Sequence, residues 1–427
     1  MWHCGRGYLW KEALIMQIQI ATKLIDQAVI LVGGLGTRLG SLTQHTPKPL
    51  LPVAGVPFLD HLVFELGRHG IRRVLLCAQF EAEQIRKFAL ESASMRRFGM
   101  TIDISIEPHK AGTGGALFHA GGLLDENFLL LNGDSWLDLN LLALAESARR
   151  DGILAAVALR QVPDGGRFGV ADVVGDRVVR FHARPLIVGP ALINGGVYAC
   201  SKAILKYASP TCSFEQDILP SVAASGELGA FKSNGYFVDI GIPNAYAAAQ
   251  TEVPEHKVRP AVFLDRDGVL NKDFGHVGSI SRFEWIDGAI TAVREFNQLG
   301  YYVFLVTNQA GIGKGLYSEF DLQAIHQHMR KDLACHGAHI DDIRYCPDHP
   351  EAAIDVYRRY SDWRKPRPGM LLDLMRSWPL KLEQSFLIGD KPSDVEAADN
   401  AGIRGWLFDR SNLAEFSAKV RSEMLKN

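Results

Sequence analysis

The stretch Ala28–Val53, AVILVGGLGTRLGSLTQHTPKPLLPV, carries a short apolar run into Gly33, Gly34 and Gly36, then a basic residue, then Pro-Lys-Pro. The run reads as a buried strand. A glycine-rich turn after such a strand brings backbone N–H groups close to an anion, and a following helix N-terminus adds partial positive charge. Phosphate suits that turn. A Rossmann fingerprint would need a third glycine where Leu39 stands, and a Walker A loop would need Gly-Lys followed by Ser or Thr, which is absent. What remains is Gly-Gly-x-Gly-Thr-Arg-Leu followed by Pro-Lys-Pro, in which Arg38 and Lys48 supply cations for a polyphosphate. A second strand-to-carboxylate signal, AVFLDRDGVLN at Ala261–Asn271, opens a new series more than halfway down the chain.

Working outward from these two stretches, 427 residues suit two domains, each able to bury its own core. Apolar runs such as VLLCA, FLLLN and LAAVAL alternate with helix-length stretches, and YVFLVT, IRYC, SFLIGD and GWLF do the same later. This is the α/β pattern, a mainly parallel sheet covered by helices in each domain. TEVPEHKVRP interrupts it with two prolines and mixed charges, so the reading places a first domain at 26–250, a linker at 251–260 and a second domain at 261–427. Residues 1–25 form an extension of unassigned role, with Met16 as an alternative start. Its apolar part carries Gln17, Gln19 and Lys23, which fits neither a spanning helix nor a signal peptide.

The 46 basic and 48 acidic residues nearly cancel, which argues against nucleic acid or an anionic membrane as partner and for small molecules. Six scattered cysteines without a CxxC pair read as reduced thiols of a cytoplasmic protein.

Phosphoryl chemistry wants a divalent cation held by carboxylates. FLLLNGDSW places Asp134, and GYFVDIGIP places Asp239, just after apolar runs. With EPHKAGTGGAL, INGGVY and SFEQDILP in this order, the first domain resembles the sugar-1-phosphate nucleotidyltransferases, above all those acting on mannose or heptose 1-phosphate. The resemblance implies a nucleotide site at Gly33, Gly34, Gly36, Thr37, Arg38, Thr113 and Gly114, and catalytic cations at Arg38 and Lys48. It also implies Mg²⁺ on Asp134 and Asp239, and a sugar pocket at Asn194, Gly195, Gly196 and Glu215. Where relatives carry Glu-Lys-Pro this chain has FHARP, so that Arg184 replaces the lysine's charge while Ala183 offers no hydrogen bond to a sugar hydroxyl.

In the second domain Asp265 and Asp267 flank a turn, an arrangement that lets one carboxylate attack phosphorus while the other reaches the leaving oxygen. Thr307 in FLVTNQAG, Lys365 in RKPRPGM and Asp390 in FLIGDKPSD follow. These elements resemble the haloacid dehalogenase phosphatases, and the whole block resembles the heptose 1,7-bisphosphate 7-phosphatases, with histidinol phosphatase a sibling. By resemblance Asp265 is the nucleophile, Asp267 the acid and base, Thr307, Asn308, Arg364 and Lys365 the phosphate grip, and Asp265, Asp267 and Asp390 the Mg²⁺ ligands. Relatives carry a structural zinc, but Asp348, Ser361 and Trp363 stand at three of its ligand positions here. A site rebuilt from Cys335, His336, His339, Cys346 and His349 fits no ligand spacing.

Together the two resemblances imply a bifunctional enzyme that dephosphorylates a heptose bisphosphate and activates the product with a nucleoside triphosphate, GTP favoured. The alternatives are a hexose-1-phosphate transferase fused to a phosphatase of other specificity, and a first domain that only senses nucleotide. No zinc is expected, and elemental analysis of the purified chain should find none in stoichiometric amount; one tightly bound zinc per chain would contradict this.

Overall fold

The computed structural model describes residues 25–34, 37–79, 81–183 and 189–424. Gly36, Arg184, the extension through residue 24 and the side chain of Thr37 lie outside the described residues. The chain divides into two compact units between Val253 and Pro254.

In the first unit the strands of the main sheet are Gln27–Leu31 (β1), Arg73–Ala78 (β2), Thr101–Ile106 (β3), Asn127–Asn132 (β4), Ala155–Val162 (β5), Val170–Val174 (β6), Arg177–His182 (β7), Ala191–Ser201 (β8) and Leu228–Ser233 (β9). Their order is β3-β2-β1-β4-β8-β5-β9-β7-β6. Residues alternate between faces with period two, so Ala28 and Ile30 enter one core with Leu62 and Leu66 while Val29 enters the other with Phe128 and Leu130. Burial on both faces explains why these strands read as unbroken apolar runs. The sheet is parallel from β3 through β4, but β8 runs antiparallel to both β4 and β5, and β7 runs antiparallel to β9 and β6. It is therefore a mixed sheet, a feature that apolar runs cannot reveal because they carry no direction. A separate ribbon pairs Ser135–Leu137 with Phe237–Asp239, setting Asp239 opposite Ser135 and so beside Asp134.

The expected linker at 251–260 is helical over most of its length. Helix Pro243–Lys257 runs through it with Pro254 inside. Ala249 and Val253 are buried in the first unit's core, and that packing outweighs the proline's cost to the helix. The break in regular structure falls only at residues 258–260.

The second unit has Ala261–Leu264 (β10), Tyr302–Asn308 (β11), Asp342–Cys346 (β12), Phe386–Gly389 (β13) and Arg404–Leu407 (β14) in the order β12-β11-β10-β13-β14. Every pairing is parallel. The order reverses at β10, and ligands of such sheets bind in the crevice at the carboxyl ends of the strands beside that point. Asp265, Thr307 and Asp390 all stand at those ends.

Phe263 in β10 is fully buried, its ring 5.2 Å from that of Phe304. Phe263→Ala is expected to cost about 3–5 kcal/mol in the second unit. Thermal inactivation should then move down in temperature for the second unit's chemistry while the first unit's is retained.

Candidate active sites

In the first unit a cavity of about 500 Å³ is lined by Gly33, Gly34, Arg38, Lys48, Thr113, Asp134 and Glu215 among others. A Cβ on Gly33 would lie 3.2 Å from Glu107 Oε1 and 3.3 Å from the Gln79 side chain, so glycine lets the turn close against its neighbours. The short 3₁₀ turn Lys48–Leu50 presents the lysine, whose Nζ lies 2.5 Å from Asp134 Oδ2 and 3.7 Å from Asp239 Oδ1. Glu215 sits in a one-turn π-helix, Phe214–Ile218, a local widening common at functional sites. Its Oε1 accepts from Asn194 Nδ2 at 3.0 Å and from Asn132 Nδ2 at 3.3 Å. Burial pushes the Glu215 carboxyl up, and the nearby Asp134 and Asp239 push it further against the Asn132 hydrogen bond.

The structure brings together most of the residues expected here, with two differences. Gly114 is turned toward Cys212, where a Cβ would lie 2.6 Å from the sulfur, and the Gly114 and Gly115 N–H groups donate to Cys212 O at 2.9 and 3.0 Å. Those donors are spent inside the fold, so Gly114 shapes the wall without lining it. The Thr113 hydroxyl accepts from Phe214 N at 2.9 Å and thereby ties the wall to the Glu215 turn. Asn194 accepts Gly196 N at 3.0 Å, and its position beside Glu215 places the Asn-Gly-Gly segment there too. Gln79, Glu107 and Lys110 also line the cavity. Sequence reasoning missed them, although Glu107 and Lys110 lie in the very segment that carries Thr113.

In the second unit Asp265 follows β10 and is 5% exposed, while Lys365 is 3% exposed. Lys365 Nζ lies 3.0 Å from Asp265 Oδ1 and 2.6 Å from Asp394 Oδ1, and donates to Val306 O at 2.8 Å. The approach to Asp265 Oδ1 is an ion pair without hydrogen-bond alignment, which leaves that oxygen buried with no hydrogen bond. Asp390 Oδ1 is in the same condition, while its Oδ2 accepts from Arg410 Nη2 at 2.6 Å. One carboxylate oxygen from each of Asp265, Asp390 and Asp394 lies within 4.8 Å of the others, the one such three-residue grouping among the described residues. Burial, with Asp394 and Asp267 adding to it and Lys365 opposing, pushes the Asp265 carboxyl up to about 6. Clustered hard oxygens with unspent lone pairs fit a small divalent cation such as Mg²⁺.

Asp267 is fixed by its surroundings: Arg266 Nη2 donates to its Oδ2 at 2.8 Å, Gln309 Nε2 to the same oxygen at 2.9 Å, and Asn271 Nδ2 to Oδ1 at 3.0 Å. Arg266 is itself fully buried and anchored on Val277 O at 2.8 Å. Thr307 is buried beside Gln309, and Arg364 lines the pocket with Asp265, Asp267 and Lys365. Asn308, expected in the grip, lines the same pocket, and its side chain is clamped to the Lys365 backbone through bonds of 3.0 and 3.1 Å in the two directions. It positions the lysine. Asp394 was missed, although its place four residues after Asp390 in GDKPSD was legible; it looks like a helix cap, and it is one, accepting Lys391 N at 3.0 Å. Asp348 pairs with Arg359 at 3.0 Å rather than with neighbouring ligands.

The nucleotidyl transferase family model matches residues 27–256. The chain belongs to that family. A HAD-hydrolase-like model matches residues 362–413. The D-glycero-beta-D-manno-heptose-1,7-bisphosphate 7-phosphatase of Rhodopseudomonas palustris is 48% identical over 166 residues, 39% of this chain and 92% of that protein. The alpha-anomer phosphatase of Burkholderia mallei is 42% identical over 167 residues, 39% of this chain and 88% of that protein. The second half is thus a HAD-type sugar bisphosphate phosphatase domain. Among solved structures, HddC from Yersinia pseudotuberculosis is 32% identical, covering 54% of this chain and all of that one, with a TM-score of 0.48. Among the described residues no helix is long and apolar enough to cross a membrane.

The three-carboxylate cluster leads to a measurable expectation. Millimolar Mg²⁺ should raise the melting temperature of the second unit, because a ligand that binds only the folded state stabilises it. Asp390→Asn should abolish most of that shift, as read by calorimetry in the presence and absence of the ion.

Proposed function

We propose that the chain is a bifunctional enzyme of nucleotide-heptose synthesis. Its second unit removes the 7-phosphate of heptose 1,7-bisphosphate, and its first transfers a nucleotidyl group to the resulting heptose 1-phosphate with release of pyrophosphate, GTP being the favoured donor. One observation carries the reading: a phosphatase domain matched over 92% of a heptose bisphosphate phosphatase shares its chain with a nucleotidyl transferase domain. A phosphatase that makes a sugar 1-phosphate feeds such a partner directly.

In the second unit Asp265 attacks phosphorus to form an aspartyl phosphate. Asp267, aligned by Arg266, Asn271 and Gln309, protonates the leaving alkoxide and then takes a proton from the attacking water. Lys365 holds Asp265 and offsets charge on the phosphoryl oxygens. Mg²⁺ held by Asp265, Asp390 and the Asp267 carbonyl would relieve the repulsion between carboxylate and phosphate.

In the first unit the sugar phosphate needs no general base, since a phosphate monoester has a second pKa of about 6. Positioning and charge suffice for in-line attack on the α-phosphorus, with Arg38 and Lys48 facing the triphosphate. The Lys48 ammonium marks a position that Asp134 and Asp239 both make negative, and these two would hold the Mg²⁺ of this site. The bond broken lies in the nucleotide, so the sugar keeps its anomeric configuration. The names of the phosphatases similar to the second unit include both anomers of the bisphosphate.

Phosphorus NMR of heptose 1,7-bisphosphate with Mg²⁺ and GTP should show loss of the 7-phosphate resonance, then GDP-heptose and pyrophosphate. Early loss of the anomeric phosphate would refute the coupled pathway. Asp265→Asn should stop phosphate release and spare transfer, and Asp134→Ala should do the reverse.

A further inference from the structure

We propose that Arg167 grips the 1-phosphate of the sugar substrate in the first unit, a role that rests on the transferase reading above. Arg167 lies outside the cavity that holds Arg38 and Lys48, on the segment leading into β6. Its guanidinium carbon sits 4.4 Å from the centre of the Phe168 ring. That ring meets Phe237 edge-on at 5.5 Å, and the strand Phe237–Asp239 ends in a carboxylate of the Lys48 centre. Arg167 Nη2 is 3.9 Å from Asp239 Oδ2, an ion pair too long to spend a hydrogen bond. From the other side, Gly169 O accepts Asn194 N at 2.8 Å, and the Asn194 side chain donates to Glu215. The Arg167–Gly169 segment therefore joins the carboxylate pair to the Glu215 pocket.

A sugar 1-phosphate whose ring lies at Glu215 and whose phosphate approaches the nucleotide must pass this junction. The arriving group is a dianion, and it nears two carboxylates whose shared lysine is already engaged. The Mg²⁺ that Asp134 and Asp239 would hold also serves the nucleotide, so a further cation on the sugar side adds to the hold on the dianion. Arg167 is 36% exposed, stacked in place and free of hydrogen bonds to described residues, so its planar fork is ready for two phosphate oxygens.

The test uses the full chain with heptose 1-phosphate and GTP. Arg167→Ala should raise KM for the sugar phosphate about 10- to 100-fold while KM for GTP stays within about twofold. Phosphate release by the second unit should be unchanged, and the retained KM for GTP, with an unchanged first-unit melting transition in calorimetry, reports that the first unit is folded. Arg167→Lys should recover only part of the loss, because an ammonium lacks the fork. An unchanged sugar-phosphate KM would overturn the inference, as would a parallel rise in both KM values with a higher Mg²⁺ requirement, which would make Arg167 a prop for Asp239. Calorimetric titration of heptose 1-phosphate alone separates the inference from the reading it rests on. Binding that weakens in Arg167→Ala supports the grip even if the wild type transfers no nucleotide, and binding equal in both proteins, or undetectable in both, overturns it.

Discussion

A lysine ammonium drawn between two carboxylates organises each unit. In the first, Lys48 lies between Asp134 and Asp239; in the second, Lys365 lies between Asp265 and Asp394. Asp134, Asp239 and Asp265 stand at the ends of strands and Asp394 in the first turn of the helix Pro392–Asn400, and each lysine arrives from a distant segment beside a proline. Burial pushes the Asp265 carboxyl up, and Lys365 opposes that while drawing Asp265 and Asp394 together. The same charge balance keeps the sites open to phosphate, since neither is neutralised so fully that a cation has no further work. In the second unit Lys365 holds Asp265 and Asp394 while Arg410 holds one oxygen of Asp390, and the carboxylate oxygens left without hydrogen bonds are what a divalent ion would take up.

Much of this was legible in the sequence because it is local. Strands buried on both faces read as apolar runs, and carboxylates at their ends follow from a short turn after the run. Asp265, Asp267, Asp134 and Asp239 belong to that class. What escaped depends on partners far apart in the chain. Gly114 looks like a phosphate-loop glycine until Cys212, almost a hundred residues on, takes its N–H. The clamp between Asn308 and the Lys365 backbone joins residues more than fifty apart, and Asp394 looks like an ordinary cap until Lys365 pairs with it. The helical course of residues 251–257 was hidden by Pro254, since no local rule says that Val253 and Ala249 are buried.

The two units divide one substrate's phosphates between them by different chemistry. The second offers the buried carboxylate of Asp265 next to the hydrogen-bonded Asp267, which the proposed reaction uses as nucleophile and acid. In the first, Asp134 and Asp239 are held by Lys48, and in the proposed reaction the attacking group comes with the substrate. An ester group spared by one site becomes the nucleophile at the other, and this asymmetry is written in what the carboxylates are bonded to.

The π-turn at Phe214–Ile218 bears on how such an enzyme changes its sugar. A π-turn holds one residue more than an α-turn, and helix Leu219–Ala224 follows it directly. Removing one residue there would restore an α-turn and rotate the preceding side chains by about 100°. Glu215 would leave Asn132 and Asn194, whereas Ile218, Leu219 and Val222 could keep their seats in the core. On the sugar-pocket role proposed for Glu215, chain length at this one turn becomes a variable of substrate choice, open to a single deletion that leaves every pocket residue in the sequence.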